Sequence, residues 1–124
     1  MTNLHARTAL RFTDELKKRL GEDLHSVVLY GSVARGESRS DSDIDLLVVT
    51  SKYAGSLIDK IAYEIDFAGQ FTTFLTPIEL SPKQIEDCLS IGDPFLERVL
   101  DEGKLLHDDG TFKNFHDRII TSRA

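Results

Sequence analysis

The chain has a single cysteine, Cys88, so no internal disulfide can form, and this usage suits a reducing, cytoplasmic setting. Proline is scarce, with 3 residues in 124, and no stretch rich in Pro, Gly or Ser marks a linker to a second domain. Long apolar runs are missing. Leu46 to Val49 is among the longest, against the roughly 20 residues a bilayer-spanning helix needs, and the N-terminus lacks a signal-peptide core. No membrane role is therefore expected. A basic excess is missing too: 15 Lys and Arg stand against 21 Asp and Glu, a formal net charge of -6. That balance argues against broad, sequence-independent nucleic-acid binding, although it leaves room for a local basic patch. There is no internal repeat.

What remains is an ordinary globular composition, 40% hydrophobic and 29% charged, in a chain the length of one domain. A single domain over residues 1–124 is expected, with 111–124 as a C-terminal helix or tail. Ala9, Phe12, Leu16 and Leu20 fall at helical spacing ahead of Gly21. Residues 26–30, SVVLY, are β-rich and apolar on both faces, which reads as a buried strand. A short helical turn from Ser32 to Gly36 and a polar loop lead into a second strand, DIDLLVVT, at residues 43–50.

Ile58, Ile61, Ala62 and Ile65 stripe a helix stopping near Gly69, and residues 71–80 read as a third strand that Pro77 pushes towards a sheet edge or bulge. Ile85, Cys88 and Leu89 suggest a short helix, and Asp93-Pro94 caps and opens another that Gly103 ends. Residues 104–107 form a further short strand, followed by an amphipathic helix over 111–120 whose Phe112, Phe115 and Ile119 pack back on the domain. The expected fold is α+β, close to α/β: a small mixed sheet with helices mainly on one face.

The chemistry concentrates in residues 30–49, YGSVARGESRSDSDIDLLVV. Acids at the mouth of a strand built for burial repel one another and call for a compensating cation. Two familiar arrangements fail. Gly31 and Gly36 have the glycine spacing of a P-loop, but Glu37 stands where the phosphate-binding lysine is needed. Asp41, Asp43 and Asp45 alternate like calcium-loop ligands, but Leu46 replaces the turn glycine and Lys52 the closing glutamate. A third arrangement uses both halves. Asp43 and Asp45, two apart on a strand, share a face and suit Mg²⁺, which takes one or two carboxylates and completes its shell with water and phosphates. Gly31 allows close backbone approach, and Ser32 adds a hydroxyl at the start of a helical turn that favours anions.

Gly31-Ser32, ten residues, then Asp43-Ile44-Asp45 resembles the signature of the DNA polymerase β-like nucleotidyltransferases. It is most similar to their minimal members, single catalytic domains paired with HEPN-type proteins in toxin–antitoxin systems. The resemblance covers roughly Val27 to His107, and PFLERVLDEGKLLH is also like the close of these domains. It implies a polymerase β palm-like fold and transfer of a nucleoside monophosphate, AMP from ATP, to an acceptor hydroxyl, with a HEPN-type toxin as partner. It further implies that Asp43 and Asp45 bind Mg²⁺, as one ion or as a pair about 3.5–4 Å apart. Gly31 and Ser32 would hold the β- and γ-phosphates. Arg35, one turn past Ser32, could neutralise phosphate charge, a role the family does not fix.

Simpler uses of these residues stand beside that reading. Alternating acids can be a solvated strand entry, Ser32 an ordinary helix cap, and Arg35 an ion-pair partner of Glu37 or Asp41. Active relatives carry a third carboxylate on the next core strand, and here the matching positions are expected at Thr72 or Thr73, neither acidic. Glu64 and Asp66 fall on the preceding helix and Glu79 beyond Pro77. An alternative function is therefore a weak or inactive antitoxin that binds its partner by contact. Base preference, acceptor and oligomeric state, self-association included, stay open.

Overall fold

Two strands that are apolar on both faces organise the molecule, and each face needs its own cover. The structure is a computed structural model that describes residues 3–37, 39, 42–68 and 74–123. Helix α1 (Asn3–Leu20) leads through a short 3-10 turn at Gly21–Asp23 into β1 (Leu24–Tyr30). A five-residue helix α2 (Gly31–Arg35), strand β2 (Ile44–Thr50) and helix α3 (Gly55–Ala68) follow. Strand β3 (Leu75–Leu80), helices α4 (Pro82–Ser90) and α5 (Pro94–Glu102), strand β4 (Lys104–Asp108) and helix α6 (Thr111–Arg123) complete the order.

The four strands lie in the order β3-β2-β1-β4. β1 runs antiparallel to β2 and to β4, whereas β2 and β3 are parallel and joined through α3. The expected mixed α+β sheet is therefore present. Pro77, which lacks a backbone N–H, sits on β3 at the sheet edge, where that donor is not needed.

The helices are divided between both faces rather than gathered mainly on one. Val27 and Leu29 of β1 with Ile44, Leu46 and Val48 of β2 pack against Phe12 and Leu16 of α1 and Ile58, Ile61 and Ile65 of α3. Val28, Leu47 and Val49 point the other way, onto Ile85 of α4, Leu96, Val99 and Leu100 of α5, and Phe112 and Phe115 of α6. The period-two alternation puts these two sets on opposite sides of one sheet. The apolar runs of β1 and β2 demand this double cover.

Strand β3 is described from Leu75; residues 71–73, which the β-rich run from Phe71 also assigns to this strand, lie outside the described residues, as do Asp41 and Gly69. Local capping chemistry matches the sequence closely. Asp93 accepts from the Phe95 N–H with Pro94 at the first helical position, and Ser81 and Gln84 form a reciprocal capping box at α4. Among the described residues no helix is long and apolar enough to cross a membrane.

Candidate functional site

The antiparallel register of β1 and β2 places Tyr30 opposite Asp45, so the last residue of one strand and the second of the next share one end of the sheet. Gly31 follows directly with φ of 76°, a conformation that side-chain-bearing residues adopt at a penalty. It also lies so close to Asp45 that a Cβ built on it would collide with the Asp45 carboxylate. Gly31 thus has two reasons to be glycine, and the second was not legible in the sequence: it makes room for the acid itself.

Asp43, immediately before β2, is exposed, and Asp45 is half-buried, with the fully buried Ile44 between them. Burial, and then the neighbouring charge of Asp43, push the Asp45 carboxyl above the ordinary carboxylate range, with Arg35 pulling the other way. Burial and the charge of Asp45 also push the Tyr30 hydroxyl up to about 12. The Tyr30 ring is anchored edge-on against Phe95 of α5, at 5.4 Å between centroids and 83° between planes. A partly desolvated acid with a second carboxylate beside it forms a donor set suited to a divalent cation. Mg²⁺ fits these residues, with the rest of its shell left to water and phosphate oxygens.

Arg35 is one turn beyond Ser32 and is not free. Its Nε donates to Glu37 Oε2 at 3.1 Å, and its Nη1 to both Glu102 oxygens at 3.2 and 3.1 Å. These hydrogen bonds, Glu37's first and then Glu102's, hold the guanidinium above its usual value. The pairing with Glu37 matches the simpler sequence reading. Glu102 carried no sequence signal, because it lies 67 residues from Arg35 and reaches it only through the packing of α5.

The parallel register sets Thr76 opposite Asp45. Thr72 and Thr73 lie outside the described residues. Thr76 is exposed and neutral, and among the described residues no group of three or more acidic, His or Cys side chains is arranged to hold a metal. Glu79 pairs in register with Val48, at the opposite end of β2, and its Oε2 accepts from Thr50 Oγ1 at 2.5 Å and the Ala54 N–H at 2.8 Å. Glu64 is exposed on α3. Asp66, also on α3, accepts the Leu75 N–H at 3.0 Å and so fixes the start of β3. Its carboxyl is raised mainly by burial, opposed by that hydrogen bond, with a further push from Asp43, which places it within the electrostatic reach of the site.

The family model described as a nucleotidyltransferase domain matches residues 10–107. The chain is 32% identical over 113 residues, 87% of its length and 76% of the other's, to a candidate protein adenylyltransferase, MJ1305, of Methanocaldococcus jannaschii. A crystal structure of a toxin–antitoxin with AMP-PNP is similar over 92% of this chain and 86% of that one, with a TM-score of 0.58 and 18% identity. A tri-AMPylated Shewanella oneidensis HEPN toxin in complex with its MNT antitoxin is similar over 94% and 84%, with a TM-score of 0.56 and 15% identity. At these identities the two structures show a common fold. With its matched span and its sequence relative, the chain belongs to the nucleotidyltransferase domain family.

Proposed function

We propose that this chain transfers a nucleoside monophosphate, AMP from ATP, to a hydroxyl on a HEPN-type partner protein in a Mg²⁺-dependent reaction. The observation that carries the reading is the close packing of Gly31 on the Asp45 carboxylate, with Asp43 two residues away. One short segment thus joins a side-chain-free backbone approach to a pair of hard oxygen ligands. Asp43 and Asp45 would hold Mg²⁺, and Gly31 with Ser32 would receive the β- and γ-phosphates. When bound, the metal supplies charge neutralisation on the phosphates and on the leaving oxygen.

The acceptor oxygen attacks the α-phosphorus, the bond from that phosphorus to the β-phosphate oxygen breaks, and pyrophosphate departs. The hydroxyl proton passes to solvent, and Thr76, opposite Asp45, is neutral and offers no base for it. The protein relative named as a candidate adenylyltransferase supports the reaction class, and the AMPylated toxin complex supports the acceptor class.

Thr76 also favours a second reading, a module that binds nucleotide and partner with little or no transfer. Incubation with α-labelled ATP, Mg²⁺ and a HEPN toxin separates the two. Label on the toxin, lost in Asp43→Asn and Asp45→Asn, is the expected result. Unlabelled toxin despite nucleotide binding would establish the second reading.

A further inference from the structure

The end of α5 reaches the β1–α2 junction through one side chain. Glu102, the last residue of that helix, accepts the Gly31 N–H through Oε1 at 3.2 Å and grips Arg35 through both oxygens. Its placement is firm. Leu96, Val99 and Leu100 bury α5 in the core, and a Cβ on the next residue, Gly103, would collide with Val28 and the Val99 carbonyl. The Glu102 side chain is only 18% exposed, against 39% for Arg35, so the carboxylate is the sheltered member of the pair.

We propose that Glu102 is a positioning residue for the nucleotide site, clamping the Gly31 peptide and the Arg35 guanidinium so that Gly31 stays against Asp45. Arg35 then serves as a brace between Glu37 and Glu102 rather than as a neutraliser of phosphate charge. The physical need is specific to glycine. Glycine has the widest backbone freedom of any residue type, and without its clamp the turn can leave φ of 76° and move Gly31 off the Asp45 carboxylate. Losing Glu102 would also leave a partly buried N–H and a guanidinium group short of an acceptor. The proposal rests on reading Gly31 and Ser32 as the phosphate cradle. Its rival is that the Glu102 carboxylate occupies a phosphate's place and must be displaced, and the two differ in sign.

The test is calorimetric titration of Mg·ATP into the full chain and its Glu102→Ala and Glu102→Gln variants, with thermal melting of each. Glu102→Ala should weaken nucleotide binding about tenfold, the size of one lost charge-assisted hydrogen bond. Glu102→Gln keeps an oxygen for the Gly31 N–H and should bind within about threefold of the unmodified chain. A purely structural role would lower the melting temperature without this graded change in affinity. Unchanged or tighter binding by Glu102→Ala overturns the proposal, and tighter binding identifies the carboxylate as a competitor of phosphate. Should the alanine variant not fold, a loss of more than about tenfold in Glu102→Gln would overturn it instead. No Mg·ATP binding by the unmodified chain would remove the site reading and this proposal together, which distinguishes that failure from the others.

Discussion

Strands β2 and β3 carry a carboxylate at each end, and the two ends do opposite things. At one end Glu79 takes hydrogen bonds from Thr50 Oγ1 and the Ala54 N–H, which ties the β2–α3 loop to the sheet edge. At the other, Asp45 lies against a glycine that offers no side chain, beside a second acid that repels it. One oxygen of the first carboxylate, Oε2, takes two donors from its own fold, while its buried Oε1 takes none among the described residues. The second carboxylate is raised above its ordinary range, and its environment improves when a cation arrives. Both are carboxylates near a strand end, so the surroundings decide that one end is structural and the other is the proposed site.

The comparison can be broken most forcefully at Gly31. Gly31→Val forces a branched side chain into positive φ and onto Asp45, and should abolish Mg·ATP binding while lowering stability by about 2–4 kcal/mol. Denaturant melts with nucleotide titration would check both, and a variant that binds normally would place the cradle elsewhere. Thr76→Asp adds the acid that the register of β3 lacks. It should raise label transfer to a HEPN toxin about 10- to 100-fold, the lower part of the range for general-base help.

At the structural end, Glu79→Ala should lose about 1–3 kcal/mol by stripping the Thr50 and Ala54 donors of their acceptor. Nucleotide affinity should be untouched, and a matching loss of affinity would dissolve the distinction between the two ends. The smallest effect is a stability gain from Asp45→Asn. Because the folded carboxyl titrates above its unfolded value, its stabilising share is present below the ordinary carboxylate range and is lost as pH rises through the raised value. Metal-free Asp45→Asn should therefore melt on the order of 2 °C higher at neutral pH, with the gain vanishing near pH 3. A gain that persists in acid would show that repulsion is not its source.

The legible parts of the molecule were those written locally. The stripes of α1 and α3, the Asp93-Pro94 opening of α5 and the Gly-Ser…Asp-x-Asp spacing all depend on residues a few positions apart. Long-range packing was not legible. Glu102 meets Gly31 across 71 residues, and nothing near either one announces it. The register that sets Thr76 opposite Asp45 joins residues on either side of α3, and no local pattern in either strand specifies it. The two-sided cover of the sheet did leave a trace in the apolar runs of β1 and β2, which a one-sided arrangement would have left half exposed.

In the proposed function Asp43 and Asp45 together hold the metal that binds the nucleotide. The most direct measurement is calorimetric titration of ATP, with and without Mg²⁺, into the unmodified chain and an Asp43→Asn, Asp45→Asn double variant. The expected result is Mg²⁺-dependent binding by the unmodified chain and its loss in a double variant that still melts cooperatively. Equal, Mg²⁺-dependent affinity in both would contradict it.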